Sequence, residues 1–170
     1  MADDKSNDIS QYLNFTLGKE VFALDIASVR EVLELTSITK IPRTSDFMCG
    51  VINLRGHAVP VMDMRLKFGM PTTEATVDTC IIIVEVEFEG ENVIMGGKVD
   101  AVREVFDLTA DRIEAAPRMG TSINTDYIKG IGKQEDLFVI ILDIAKVFSA
   151  SELALAKETA AGGKTESQGA

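Results

Sequence analysis

The chain has 170 residues, 46% apolar and 26% charged, which suits one soluble domain or two small subdomains sharing a core, with no need of a metal or disulfide. A net charge of −10 and a pI near 4.6 argue against nucleic acid, whose phosphates demand a basic surface, and against an anionic membrane surface. Cys49 and Cys80 stand alone without metal or redox spacing, as in reduced intracellular proteins. No basic start followed by an apolar stretch marks a secretory signal, and the longest apolar run, Cys80 to Val84, cannot span a bilayer. A cytoplasmic protein without direct membrane insertion is expected.

Residues 1–10 are small, polar and charged, and are expected to be disordered. From Gln11 apolar and polar residues alternate (Leu13, Phe15, Leu17), the mark of a half-buried strand. Gly18-Lys19 leads to a second alternating run with Phe22, Leu24 and Ile26; glycine first in a two-residue loop predicts a type II′ hairpin. SVREVLEL (28–35) is a third strand, and Pro42 marks the loop after it. GVINLRGHAVPVMDMRLKFG (50–69) predicts a strand, a tip at Asn53-Leu54-Arg55-Gly56, a second strand and a short helical turn. Pro60 lacks an amide hydrogen and is expected at an edge or facing away from a neighbouring strand. After a polar connection (70–78), TCIIIVEVEF (79–88) predicts a strand buried on both faces at its start and alternating at its end. In its partner, NVIMGGKVD, Gly96 and Gly97 imply a bulge or a close backbone approach. Ser149 and Glu152 have capping-box spacing before an Ala/Leu-rich helix at 150–160, which Gly162-Gly163 should end, leaving a flexible tail at 161–170.

The chain repeats itself. Gly50, Val51, Asp63 and Phe68 recur at one constant offset as Gly130, Ile131, Asp143 and Phe148. Val29-Arg30-Glu31-Val32 recurs unchanged as Val102-Arg103-Glu104-Val105, and Ile41-Pro42-Arg43 is echoed at a similar offset by Ala116-Pro117-Arg118. The stretches 11–69 and 79–149 thus read as two copies of a β unit of about five short strands, the size of a closed or partly closed barrel, which has no free edges to aggregate. The copies differ at their hairpin tips, where Lys133-Gln134-Glu135-Asp136 replaces Asn53-Leu54-Arg55-Gly56.

Catalytic groups are sparse. His57 is the only histidine and lies in a predicted turn, and Cys49 and His57 would flank one strand, a poor nucleophile–base pair. Two cysteines and one histidine are too few for structural zinc, and Gly130-Ile131-Gly132 has no phosphate-binding continuation. Asp63 and Asp143 follow strands and open helical turns, the place of helix N-caps rather than of paired acids. No catalytic, cofactor or metal residue is expected. Arg55 fits either a solvated tip or an interface arginine, and Val29, Val32, Cys80, Val102 and Val105 fit either core or contact positions.

The segments FTLGKEVFALDIASVREV (15–32), GVINLRGHAVPVMDMRLKFG (50–69), VDAVREVFDLTADRI (99–113) and YIKGIG (127–132) resemble the CheW-like domain family, the coupling proteins of bacterial chemotaxis. The Asn53-Leu54-Arg55-Gly56-x-x-x-Pro60-Val61-x-Asp63-x-Arg65 arrangement is specific to it. The resemblance implies a mainly β domain over 11–158, built as two partly intertwined SH3-like five-stranded barrels with a shared apolar seam, short helices and a C-terminal helix. It implies a non-catalytic adaptor at membrane-associated receptor arrays. Such an adaptor binds the regulatory domain of the histidine kinase CheA, itself CheW-like, and the cytoplasmic tip of methyl-accepting receptors. An adaptor of a non-chemotaxis receptor–kinase pathway is the alternative; the kinase's own domain would carry further segments. By motif match, Arg55 and Glu31 would face the receptor with Cys80 nearby. Val29, Gly50, Gly56 and Gly96 match positions of partner contact or of the backbone shape behind it, and Val102 and Val105 would line the groove taking the receptor's helical tip. Cys80 and Gly97-Lys98 depart from the aliphatic residues usual there.

Overall fold

The computed structural model describes residues 9–42, 46–115 and 125–169. Eleven strands form two sheets among these residues. They are β1 (Ile9–Leu17), β2 (Glu20–Asp25), β3 (Val29–Glu34), β4 (Met48–Leu54), β5 (His57–Asp63), β6 (Cys80–Phe88), β7 (Glu91–Val99), β8 (Ala101–Thr109), β9 (Ile113–Glu114), β10 (Ile128–Gln134) and β11 (Leu137–Leu142). Two four-residue helices, α1 (Met64–Lys67) and α2 (Ile144–Val147), follow β5 and β11, and α3 runs from Ala150 to Gly169. No described helix is long and apolar enough to cross a membrane.

The sheet orders show how the duplication is used. One sheet runs β3-β6-β7-β5-β4, the other β8-β1-β2-β11-β10-β9. Matched by the sequence repeats, each strand of one has its counterpart at the same place in the other. The hairpins, however, are exchanged: β1–β2 completes the barrel of β8–β11, and β6–β7 completes that of β3–β5. Parallel pairings, β5 with β7 and β11 with β2, join each guest hairpin to its host. Each barrel then closes on itself. The chain beyond β3 bridges back to β4 at Thr39–Val51, with backbone hydrogen bonds of 2.9 and 2.8 Å. The chain beyond β8 does the same through β9, which pairs with β10. The fold is therefore mainly β, with two SH3-like halves.

Three apolar clusters follow from this geometry. Ile52, Val59, Val61, Ile81 and Ile83 fill the first barrel, and Tyr12, Ala23, Phe106, Leu108, Val139 and Ile141 fill the second. A larger cluster lies between the sheets and includes Leu13, Phe15, Phe22, Phe68, Ile82, Val84, Met95 and Phe148. β6 is buried on both faces because Ile81 and Ile83 point into its barrel while Ile82, Val84 and Val86 point into the seam. The repeated Val-Arg-Glu-Val tetrapeptide is a bulge device. Val29 and Val32 pair with Val84 and Ile82, across a register shift at Arg30. Val102 and Val105 pair with Phe15 and Leu13, across a shift at Arg103. Residues three apart thereby reach one face of the strand, the seam face, where simple alternation would split them.

Several local expectations change. β1 begins at Ile9, just before the expected boundary; residues 1–8, Arg43 and the segment Ala116-Pro117-Arg118 that echoes Ile41-Pro42-Arg43 lie outside the described residues. The helix continues past Gly162-Gly163 to Gly169 instead of ending near 160. Each interior glycine weakens a helix by only about 1 kcal/mol, which does not by itself end one. Of the two places expected for Pro60, the edge is excluded and the other holds: the β5–β7 pairing starts one residue later, at Val61, so its missing donor is not needed. Gly96 and Gly97 make no bulge. A β-carbon on Gly96 would meet Ile81 and Val61 at 3.0 and 3.1 Å, and one on Gly97 would meet Met64 at 3.1 Å.

Asp63 caps α1 as expected, accepting from the amides of Arg65 (2.9 Å) and Leu66 (3.4 Å) and from the Thr72 hydroxyl (3.0 Å). Asp143 holds the equivalent place but makes no side-chain cap hydrogen bond, so the cap does not recur in the second barrel. Asp63→Ala should cost about 2 kcal/mol in urea unfolding. Asp143→Ala should stay within about 0.5 kcal/mol. Equal losses would mean that Asp63 acts only through its charge.

Arg65 staples the halves together. Its Nε and Nη2 donate to Asp100 at 2.7–3.1 Å, and Asp100 also accepts from the Gly18 amide at 2.7 Å. The hydrogen bond from Arg65 holds the Asp100 carboxyl below its usual range. A carboxyl depressed by folding stabilises fully above its unfolded pKa of about 3.9, and that stabilisation is lost as the pH falls through the lower folded value. Acid unfolding below about pH 4 should therefore be less steep in Asp100→Asn than in the parent. Parallel curves would assign the acid sensitivity to other carboxylates.

Candidate functional site

The tip between β4 and β5 is a two-residue turn. Arg55 (φ +51°) and Gly56 (φ +89°) both lie in the left-handed region, as a type I′ turn requires. The Asn53 side chain accepts from the Gly56 amide at 2.8 Å and fixes the turn. Arg55 is thereby presented at the rim of the first barrel with its side chain 68% exposed. There it meets Glu31. Arg55 Nη2 pairs with Glu31 Oε2, and Nη1 donates to Oε1 at 3.4 Å. Glu31 sits opposite Ile83, on the face that lines the barrel's own core, so its carboxylate stands at the barrel mouth. This hydrogen bond, and then the charge of Glu31, push the Arg55 pKa further up and keep the guanidinium charged. The two charged residues singled out in the sequence thus form one unit, although one lies on β3 and the other in the β4–β5 turn.

The second barrel resolves the same position differently. Glu135 takes the place of Arg55, also with positive φ (+55°), so the charge at this position is reversed, while Asp136 does not share the positive φ of Gly56. Glu104, the mate of Glu31, accepts from the Gln134 side chain at 3.0 Å, and its amide donates to Asn14 at 2.9 Å. The rim carboxylate is kept, while the cation over it is not.

Next to the first rim lies an apolar strip that crosses from one barrel to the other. Val32 on β3 is 41% exposed and pairs with Ile82 on β6. Two residues before Ile82 is Cys80, whose sulfur takes a hydrogen bond from the Val102 backbone on β8. Val105, further along β8, is 48% exposed. Val29 and Val102 are half-buried against the seam, so each bulged strand contributes one anchored and one exposed valine. Val32 was visible in the sequence as an apolar residue without an inward task, but the resemblance did not select it.

Three expected contact residues have little surface to offer. Cys80 is buried, its thiol pKa pushed up by that burial, so it lies beneath the strip rather than on it. Gly96 is buried among Ile81, Val61 and Ile83, and its contribution is backbone shape. Gly50 is buried as well, with φ +142°, where the barrel closes. Gly56 is exposed at the tip beside Arg55.

The nucleophile–base pair fails on geometry. Cys49 lies near the start of β4 and His57 at the far end of the same hairpin, where it pairs with Leu54. Five strand residues at about 3.3 Å each separate their levels by roughly 17 Å. Cys49 is half-buried, and burial raises its thiol pKa, the wrong direction for a nucleophile. Among the described residues, no group of three or more His, Cys, Asp or Glu could hold a metal ion.

Residues 11–152 match the CheW-like domain family. A chemotaxis protein CheW from Klebsiella aerogenes is 37% identical over 150 residues, covering 88% of each chain. That of Bacillus subtilis is 35% identical over 127 residues, 74% of this chain and 78% of the other. The crystal structure of the scaffolding protein TtCheW from Thermoanaerobacter tengcongensis superposes with a TM-score of 0.76 at 37% identity, covering 85% of this chain and 97% of that one.

Proposed function

The chain belongs to the CheW-like domain family, and from that membership we propose that it is a non-catalytic chemotaxis adaptor coupling methyl-accepting receptors to the histidine kinase CheA. The observation that carries this reading is the Arg55–Glu31 unit at the rim of one barrel, beside an apolar strip shared by both. A helical receptor tip needs an apolar stripe to bury and charges at the edge to fix its register. Val32, Val102 and Val105 supply the first, and Arg55 with Glu31 the second. Cys80 and Val29 support the strip from below, and Gly50, Gly56 and Gly96 set the backbone that presents it.

The kinase contact falls to the remaining barrel surface, toward CheA's regulatory domain. Recruitment to membrane-associated arrays follows from binding receptors, not from a membrane segment of its own. Single contacts of this kind are moderate, and linked sites strengthen them through effective concentration.

Reconstitution tests the reading. Added to a receptor cytoplasmic fragment and CheA, the protein should raise receptor-dependent kinase activity, and no change would overturn the adaptor role. Cys49→Ser and His57→Ala should couple as well as the parent in the same assay. Loss of coupling in either would point back to chemistry at those side chains.

A further inference from the structure

Lys67 ends α1 and is buried, its side chain only 5% exposed. Its Nζ donates to both oxygens of Glu152, at 2.9 and 3.1 Å. The same ammonium stands over the Phe47 ring at 5.1 Å and the Tyr127 ring at 5.7 Å. These residues come from three parts of the fold. Phe47 and Lys67 flank strands of the first barrel, Tyr127 leads into β10 of the second, and Glu152 lies in the first turn of α3.

The duplication makes the arrangement more telling. Phe47 and Tyr127 are mates, separated by the same offset as Gly50 and Gly130. Their carbonyls accept from the amides of Asp63 and Asp143, themselves mates, at 2.7 and 2.8 Å. The mate of Lys67, by contrast, is the buried Val147. Symmetry is broken here too, and the C-terminal helix docks at this place. That helix crosses over: it leaves the second barrel through β11 and α2, then packs on β5 and β7 of the sheet holding the first. Glu152 is fixed from two sides, since its Oε1 also accepts from the Ser149 amide at 2.9 Å in the capping box.

We propose that Lys67 and Glu152 form a buried latch that fixes how the two barrels sit against each other, with the C-terminal helix as its closing element. An apolar seam is non-directional and tolerates small rotations of one sheet on the other. A carboxylate gripping an ammonium through both oxygens, between rings from opposite barrels, accepts one arrangement. Stability alone does not call for such a pair, because well-packed apolar residues often replace a buried ion pair without loss. The latch stands independently of what the rim and strip bind.

Native-state amide hydrogen exchange on the full chain tests it. In Glu152→Gln, the amides of Met48 and Ile128, each next to one of the two rings, should exchange at least about tenfold faster together with the start of α3, while Val59 and Val139 inside the barrels keep the parent's rates. Should that variant fail to fold, Glu152→Asp, which keeps the charge but shortens its reach, should show the same pattern. The double variant Lys67→Met/Glu152→Met should recover the parent's melting temperature but not the slow exchange at Ile128. Acceleration confined to α3 would make the helix a passive cover. Acceleration everywhere would make the pair a contributor to global stability only. Recovery of both properties in the double variant would show that any packed pair suffices. Each of these three results overturns the latch.

Discussion

Arg55→Glu should weaken binding to a receptor cytoplasmic-tip fragment by about 30-fold, or about 2 kcal/mol, while lowering the melting temperature by no more than about 3 °C. The two effects separate because of where the side chain sits. Its ion pair with Glu31 is solvent-exposed, with the arginine 68% accessible, and such pairs contribute at most about 1 kcal/mol to folding. Binding is different, because a partner helix laid on the strip would exclude water from the same pair. Reversal would also place two carboxylates together at the mouth of the first barrel, a like-charge contact that a docking partner would have to bury. The second barrel already carries an acid at this position, Glu135, also at a positive φ (+55°), so this backbone conformation accepts a glutamate. Binding by calorimetry and melting by circular dichroism, on the same preparation, give the ratio. Comparable losses in both would make Arg55 a structural residue and remove it from the proposed receptor face. Glu31→Gln provides a graded control: it removes the rim charge but leaves the arginine, and should fall between the parent and Arg55→Glu in affinity.

How far the sequence reveals such a site depends on the range of the interactions involved. Hairpins, the Asp63 cap and the capping box of α3 were legible because they are local: a glycine at a tip or an acid three residues from a serine sets them. Burial of β6 on both faces was legible from an unbroken apolar run. The exchange of hairpins between barrels was not, because apolar periodicity shows which face of a strand is buried but not which sheet receives it. The bulges in β3 and β8 were not legible either. A repeated tetrapeptide shows that something recurs, whereas a register shift depends on the facing strand. Lys67 and Glu152 lie 85 residues apart; in sequence Lys67 reads as an ordinary surface charge and Glu152 only as the acid of a capping box. Asp143 shows the opposite failure: an aspartate in the right place, matched to a working cap, makes no cap hydrogen bond. Position within a repeat predicts backbone shape better than it predicts what a side chain does.

That distinction is sharpest at Gly50, where Gly50→Ala should cost about 4 kcal/mol, a fall of about 8–16 °C in melting temperature. The barrel closes where the chain beyond β3 crosses β4, and Gly50 lies at the crossing. A β-carbon there would run into the Thr39 carbonyl, 2.7 Å from its carbon, and into Ile38 at 2.9 Å. Backbone atoms held by the Thr39–Val51 hydrogen bonds cannot give way without opening the closure. A φ of +142° adds strain for any residue with a side chain. Gly130, its mate, should show the same logic more mildly. Its β-carbon would meet the Ile113 methyl at 2.7 Å and the Glu114 carbonyl oxygen at 2.9 Å, but its φ is not positive, so no backbone strain is added. About 2 kcal/mol is expected for Gly130→Ala. Gly56 is the control, because it has a positive φ but nothing within 4 Å of its would-be β-carbon. Gly56→Ala should cost about 1 kcal/mol, the left-handed strain alone. The order Gly50, Gly130, Gly56 therefore separates close approach from backbone strain. If Gly50→Ala costs no more than Gly56→Ala, strand closure is not what holds glycine at the first position of the repeat.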